Sequence, residues 1–440
     1  MRTPRSRRVM LATAIALAAI TPLAACAGGS SGGSGGSGGG ASGTDPESFT
    51  VMTANENPTL EELLTKLSEG ACKAENEALP IEHQKVAQAD TVQKVTLLAS
   101  QDALPAHTIA GTALIRPDGD LGAAGLVQDL EETGAADSIL PAAASTEENV
   151  YGGVVSMPYQ YNIEGFWYNK EIFEEQGIEI PTTWDDFLDV ADQLQQAGVQ
   201  PLTTAGASGF PLTRLMGMYI FRNVGPDAME AVRDGDAKLT DEGYVAGAQA
   251  LADLADAGYF GEGFSTRDGD TSTNQFLTGQ AAITYDGSWL LGAINDPERN
   301  KIGAENVGFF PFPDVEGGEG SIDQYPANAG APMIISAKQY GPKVADWVTC
   351  IAENYGALAL NEAGIISGFE VNEEVTDISP NTAEIQEKIA GIDETVLWFE
   401  ALFDPKSNSL ASTNVTLLTT GQMSAEDYMA DLQESVDANG

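Results

Sequence analysis

Histidine is nearly absent from this 440-residue chain, which holds only His83 and His107. They stand apart in sequence and away from any cysteine cluster, which argues against a zinc site. A Ser-His-Asp arrangement would have to use one of them, and no Gly-x-Ser-x-Gly elbow accompanies either. A phosphate-binding P-loop is missing too. So is a calcium loop, since Asp118-Gly119-Asp120 and Asp268-Gly269-Asp270 read more simply as turns. No metal and no cofactor are therefore expected. A glycosidase survives this sieve, because it needs only two carboxylates about 5–10 Å apart and the chain has 65 acidic residues.

Positive charge is scarce. Against those 65 acids stand 21 Lys and Arg, a formal net charge of -44. A surface this acidic repels nucleic acid and anionic headgroups, so neither is an expected partner. Long apolar runs are also lacking. The run from Val9 to Ile20 is too short to span a bilayer, which takes about 20 residues, and later apolar stretches are interrupted by charges and glycine. Cysteine is limited to Cys26, Cys72 and Cys350.

What is present begins at the N-terminus. Arg2, Arg5, Arg7 and Arg8 precede the apolar run, and Leu23-Ala24-Ala25-Cys26 follows it. That order of basic, apolar and small residues is a secretory signal over 1–25. The cysteine placed directly after the small residues resembles the lipobox of bacterial lipoproteins. The resemblance implies that Cys26 is acylated, becomes the mature N-terminus and holds the protein on the outer face of the cytoplasmic membrane. Ser6-Arg7-Arg8-Val9-Met10-Leu11 also resembles a twin-arginine export signal, with the general secretory route as the alternative. Removal of four arginines leaves a mature charge near -48 (-44 minus 4). Residues 27–44 are almost only Gly, Ser and Ala, a coil with a reach of roughly 20–25 Å. Residues 26–44 thus read as lipidated cysteine and tether.

About 395 residues remain, enough for two domains and a substantial core. Phe49–Met52 reads as a strand, Thr59–Leu67 as an amphipathic helix, Ile81–Ala87 as a second extended stretch and Thr91–Ala99 as a second helix. This alternation predicts an α/β architecture with a largely parallel sheet. The clearest helix runs through Pro181–Leu194, with Trp184, Phe187, Leu188, Ala191 and Leu194 on one face and Thr183 with Asp186 at its start. Further on, Phe276 and Leu277 end a helix that Gly279 can cap, Ala281–Tyr285 is a buried strand, Asp286-Gly287 a turn, and Ser288 a helix cap. Ala331–Ser336 reads as a strand, followed by a helix through Val344, Trp347, Val348 and Ile351. Ile385–Phe403 and Ser424–Val436 read as helices. Cys72 and Cys350 both read as helix residues. They either form a disulfide, which an exported compartment permits, or remain two separate buried thiols.

Several of these pieces together carry a resemblance. Tyr168-Asn169-Lys170, Phe173, Gly177 and Pro181-Thr182-Thr183-Trp184-Asp185 follow one another in the pattern of the extracellular solute-binding proteins of carbohydrate ABC importers. Phe276-Leu277-Thr278-Gly279-Gln280-Ala281-Ala282, Asp286-Gly287-Ser288-Trp289 and the stretch Asn328–Ser336 look like further elements of that family, in the right order across residues 45–440. Where the family usually has Pro-Asp-Val, this chain has Pro105-Ala106-His107, so contacts from residues 107–120 are not mapped by the resemblance. The resemblance implies a two-lobed periplasmic-binding-protein-like fold of type II, similar to maltose-binding protein. It places lobe 1 over 45–160 plus 328–375 and lobe 2 over 161–327 plus 376–440. The chain crosses between them near Gln160–Asn162, near Pro326–Asn328 and within 370–385. It also implies a monomeric receptor that performs no covalent chemistry and delivers a carbohydrate, an oligosaccharide or a monosaccharide, to ABC permease subunits; the alternatives are a receptor for a non-sugar solute, an extracellular carbohydrate-active enzyme or a sensor lipoprotein.

Neutral sugars present flat C–H faces and rings of hydroxyls, so their sites combine aromatic rings with amides and carboxylates. By resemblance Trp289 stacks on the sugar, Asn162 and Gln160 contact it from the crossing segment, and Phe210 and Trp398 supply further aromatics. Asn55, Glu56 and Asn57 follow the first strand at the cleft edge. Asp286 and Asn328 complete the candidate set. Trp167, Trp184 and Trp347 read as core.

Overall fold

The computed structural model describes residues 42–55, 57–87, 90–376, 378–392 and 395–439. Cys26, the signal segment, most of the tether and Glu56 lie outside the described residues. Gly43 and Thr44, at the tether's end, already donate backbone hydrogen bonds to Tyr340 and Lys338. Asp45 then caps the helix Pro342–Ala363, its Oδ1 accepting from the Lys343 and Val344 amides. Among the described residues no helix is long and apolar enough to cross a membrane.

The strands in chain order are β1 (Phe49–Ala54), β2 (Ile81–Val86), β3 (His107–Ile109), β4 (Asn162–Asn169), β5 (Gln200–Thr203), β6 (Ala281–Gly287), β7 (Val307–Phe310), β8 (Ala327–Asn328) and β9 (Met333–Ile335). They form two sheets, β2-β1-β3-β9 and β5-β6-β4-β7, with β8 added to β4. In the first sheet β1 runs parallel to β2 and β3, and β9 is antiparallel. The second sheet departs from the expected parallel arrangement. Its central β4 pairs antiparallel with β6, β7 and β8, and only β5–β6 is parallel. The chain enters β4 from the other lobe, so it meets its neighbours from the opposite end. Helix–strand alternation in the sequence carries no record of that entry direction.

Local sequence explains the elements that position the cleft. The helix Pro58–Glu69 has proline in its first turn and places Leu60, Leu63, Leu64 and Leu67 on its buried face. The helix Trp184–Gln196 starts where the Thr183 hydroxyl oxygen accepts from the Asp186 amide at 3.2 Å. Its Trp184 and Phe187 join Phe166 and Phe312 in a run of rings with centroids 4.6–5.6 Å apart. In the first lobe, Phe49 stacks on Trp347 at 5.0 Å, and the Trp347 indole donates to the Leu79 carbonyl at 2.8 Å. Trp167, Trp184 and Trp347 are all buried. A disulfide joins Cys72 to Cys350 with Cα atoms 5.8 Å apart, tying the turn after Pro58–Glu69 to the helix Pro342–Ala363.

Two local expectations fail for backbone reasons. Asp286-Gly287 is not a turn, because β6 continues through both residues, opposite Gly165 and Glu164 of β4. Ser288 accordingly caps nothing; its hydroxyl donates to Asn162 Oδ1 at 3.3 Å and accepts from the Ile163 amide at 3.3 Å. The expected helix Ile385–Phe403 is Pro380–Ala390, stopped at Gly391. Beyond it Val396 leaves helical geometry to exchange backbone hydrogen bonds with Tyr325 and Ala327, and a separate helix spans Pro405–Thr419.

Candidate functional site

Among the described residues the chain passes between the sheets three times. Tyr159–Asn162 leads into β4, and β8 returns towards β9. The third passage follows Phe369 and ends at Pro380–Ala390, where the Asn381 amide donates to the Ala304 carbonyl at 2.7 Å. The first two passages touch directly: Asn162 and Asn328 are register partners, and Asn162 Nδ2 donates to Asn328 Oδ1 at 3.4 Å. Above this pair opens a cleft of about 820 Å³.

Seven of the expected residues meet there: Asn57, Gln160, Asn162, Phe210, Trp289, Asn328 and Trp398 all line the cleft. Trp289 and Phe210 keep 37% and 41% of their surface exposed, although both are large and apolar. Exposed rings of this size at a cleft edge are the mark of a surface that takes up a binding partner. Gly287 explains how Trp289 lies as it does. A Cβ on Gly287 would run into the Trp289 indole, so only glycine lets the ring lie over the strand end. Asn57 serves two ends, since its side chain accepts from the Leu60 amide at 3.3 Å while the residue faces the cleft.

Two expected residues sit elsewhere. Asn55 is an exposed turn residue whose amide donates to the Val86 carbonyl at 2.8 Å, and it does not line the cleft. Asp286 faces a neighbouring hollow of about 250 Å³, which shares Phe210 and Trp289 with the cleft. Its Oδ1 accepts from the Gly287 amide at 2.9 Å. Burial pushes its carboxyl up to about 7, against the pull of that amide and with a further push from Glu164.

The sequence reading missed Arg214, the cation of the cleft wall. Its guanidinium lies over Trp398, with Cζ 5.2 Å from the ring centroid. Nε donates to Glu400 Oε2 at 2.9 Å, and Nη1 donates to Glu164 Oε1. Burial works against the Arg214 charge, but the two carboxylates outweigh it and hold the guanidinium above its ordinary range. Burial raises the Glu164 carboxyl, Arg214 opposes the rise, and Glu400 adds to it. Glu164 also accepts from the Tyr285 hydroxyl at 3.4 Å and from Asn328 Nδ2 at 3.4 Å. One polar network therefore runs from the crossing strands to the aromatic wall. The available signal was an arginine inside the apolar stretch Leu212–Phe221, since a buried cation needs partners.

Tyr159 was missed as well. It lines the cleft floor, and its hydroxyl lies 2.7 Å from His107 Nε2. His107 Nδ1 lies 3.0 Å from the Ile334 carbonyl. A carbonyl only accepts, so Nδ1 carries the proton and Nε2 accepts from Tyr159. Burial pushes the imidazole down to about 4, which keeps it neutral. The unmapped segment after His107 contributes Ile109, Ala110, Gly111 and Thr112 to the cleft.

Comparison with known proteins bears on this geometry. The sequence profile of the bacterial extracellular solute-binding protein family matches residues 69–353. A multiple sugar-binding protein of Streptococcus mutans is 27% identical over 183 residues, 40% of this chain and 42% of that protein. The sn-glycerol-3-phosphate-binding periplasmic protein UgpB of Rhizobium meliloti is 27% identical over 191 residues, 42% of each. The chain spans between about a third and a half of the length of the curated relatives it matches. Among solved structures, a chitin oligosaccharide binding protein superimposes with a TM-score of 0.76 at 22% identity, over 90% of this chain and 99% of that one. At that identity the likeness is one of fold, and it is the two-lobed fold described above.

Proposed function

This chain belongs to the bacterial extracellular solute-binding protein family, whose members are substrate-binding receptors and not enzymes, and from that premise we propose that it binds a neutral carbohydrate between its lobes and delivers it to an ABC permease. The observation that carries the reading is the pairing of ring faces with amides in one cleft. Phe210, Trp289 and Trp398 offer flat apolar surface, and Gln160, Asn162 and Asn328 offer donors and acceptors beside it. That combination suits a ligand with C–H faces and a hydroxyl rim. The ligand class of the Streptococcus mutans protein and of the chitin oligosaccharide binding protein supports it. The glycerol phosphate relative offers an anionic alternative, but Arg214, already facing two carboxylates, is poorly placed to receive a phosphate.

A binding panel tests the reading. Mono- and oligosaccharides are titrated by calorimetry, with melting temperature followed in parallel, because a ligand that binds only the folded state stabilises it. One class of sugar is expected to give both heat and a shift. Silence across a broad panel would sink the carbohydrate assignment.

The attachment belongs to the same proposal. Acylated Cys26 and the Gly/Ser tether keep the receptor near its permease, on the outer face of the cytoplasmic membrane, while leaving the lobes free to close. Lobe 1 comprises 45–160 with 328–375, and lobe 2 comprises 161–327 with 376–440. Cys26→Ala is expected to release the protein or block its processing while ligand affinity stays unchanged. A variant that stays in the membrane fraction, fully processed, would remove the anchor from the account.

A further inference from the structure

The wall around Arg214 holds more carboxylate than one cation needs. Glu164 and Glu400 are both buried and both contact the guanidinium, Nη1 meeting Glu164 and Nε meeting Glu400 at 2.9 Å. Each acid is also fixed without help from the arginine. Glu400 Oε1 accepts from the Thr213 hydroxyl. Glu164 accepts from the Tyr285 hydroxyl and the Asn328 amide, both at 3.4 Å. The guanidinium is thus clamped over Trp398, with Nη2 carrying no partner among the described residues.

An unpaired arginine at a cleft is a phosphate or carboxylate receptor, since its fork matches those anions. Two buried acids reverse that expectation. They occupy Nε and Nη1, leave Nη2 available as a donor, and cancel the field that would draw an anion. We propose that Glu164 and Glu400 are specificity-determining positioning residues, which convert Arg214 from an anion receptor into a donor without net positive charge and so exclude phosphorylated and acidic solutes from the cleft. The inference rests on the cleft being the solute site and adds its charge selectivity. It bears directly on the relatives, among which one protein is named for sugar and another for glycerol phosphate. Removing a unit charge about 6 Å from a bound anion should change its affinity by roughly ten- to a hundred-fold at the effective dielectric of a protein edge.

The test is calorimetry on the intact mature protein, Glu400→Gln, Glu164→Gln and Glu400→Gln/Arg214→Gln. Raffinose, chitotriose and xylotriose serve as neutral probes, and sn-glycerol 3-phosphate and inorganic phosphate as anionic ones. Wild type is expected to bind a neutral probe and neither anion. Each single glutamine variant should raise the ratio of anion to neutral affinity at least tenfold, and the gain should vanish when Arg214 is also replaced. Both single variants retain one carboxylate on Arg214, so either one alone carries the test if the other fails to fold. The proposal is overturned if folded glutamine variants keep the wild-type ratio, or if wild type binds sn-glycerol 3-phosphate as tightly as any neutral probe. If no neutral probe binds wild type, the broad sugar panel decides the carbohydrate reading separately. Onset of phosphate binding in the glutamine variants then still supports the charge assignment, and its absence overturns it.

Discussion

The two walls of the cleft are built from different materials. The first lobe presents Ala54, Leu60, Val92, Ile109, Ala110 and Gly111, small or aliphatic groups held near a sheet edge, with Asn57, Thr91, Tyr159 and Gln160 among them. The second presents Phe210, Arg214, Trp289, Trp398 and Asn408, large rings with a clamped cation among them. Aliphatic groups measure a ligand by fit alone, whereas rings and oriented donors discriminate by face and hydroxyl pattern. In the proposed solute site the second wall therefore reads the ligand's faces, while the first adds fit and the polar groups of Asn57, Tyr159 and Gln160. The lobes are also fastened differently. Cys72–Cys350 staples the first, and the Phe166-centred rings fill the second.

The staple gives the largest expected effect. A disulfide spanning 278 residues restricts the unfolded chain strongly, and loss of a native bridge typically costs about 2–5 kcal/mol. Cys72→Ser with Cys350→Ser should lower stability by that order in chemical denaturation, with ligand affinity within about threefold of wild type. If stability were unchanged, the first lobe would not depend on its staple and the contrast with the ring-packed lobe would fail.

Next come the walls themselves. Trp289→Ala removes an exposed ring that the fold does not need, so stability should hardly move. Affinity for a sugar should fall by about 1–3 kcal/mol, the usual range for a stacked aromatic hot spot. Val92→Ala, on the opposite wall and 45% exposed, should cost under about 0.5 kcal/mol. Calorimetry on the pair measures the asymmetry directly, and equal losses would abolish it.

How much of this was written in the sequence differs by level. The helix Trp184–Gln196 was legible because its apolar spacing and its Thr183 cap are local signals. The place of Trp289 at the cleft was legible because a resemblance marked its strand end and because clefts open at such edges. Arg214 was not, since its meaning comes from Glu164, 50 residues away, and Glu400, 186 away. The same holds for the stretch after Gly391. Val396 there gives up helical geometry for backbone partners at Tyr325 and Ala327, and helical spacing carries no trace of that competition. The antiparallel β4 follows from a lobe crossing, which strand composition does not encode.

The smallest effect tests whether the reading wall is independent of the scaffold behind it. Thr183 caps a second-lobe helix whose ring-bearing face meets Phe166 and Phe312, and none of these residues lines the cleft. Thr183→Ala should cost about 1 kcal/mol by leaving the Asp186 amide without its acceptor. In a chain this long that amounts to a melting shift of roughly one or two degrees. Affinity should not change, because the wall's geometry is fixed locally, by Gly287 beneath Trp289 and by the two carboxylates on Arg214. If Thr183→Ala weakened binding beyond its small melting shift, the second lobe's packing would itself be part of recognition, and the division between a wall that reads and a core that merely supports would have to be given up.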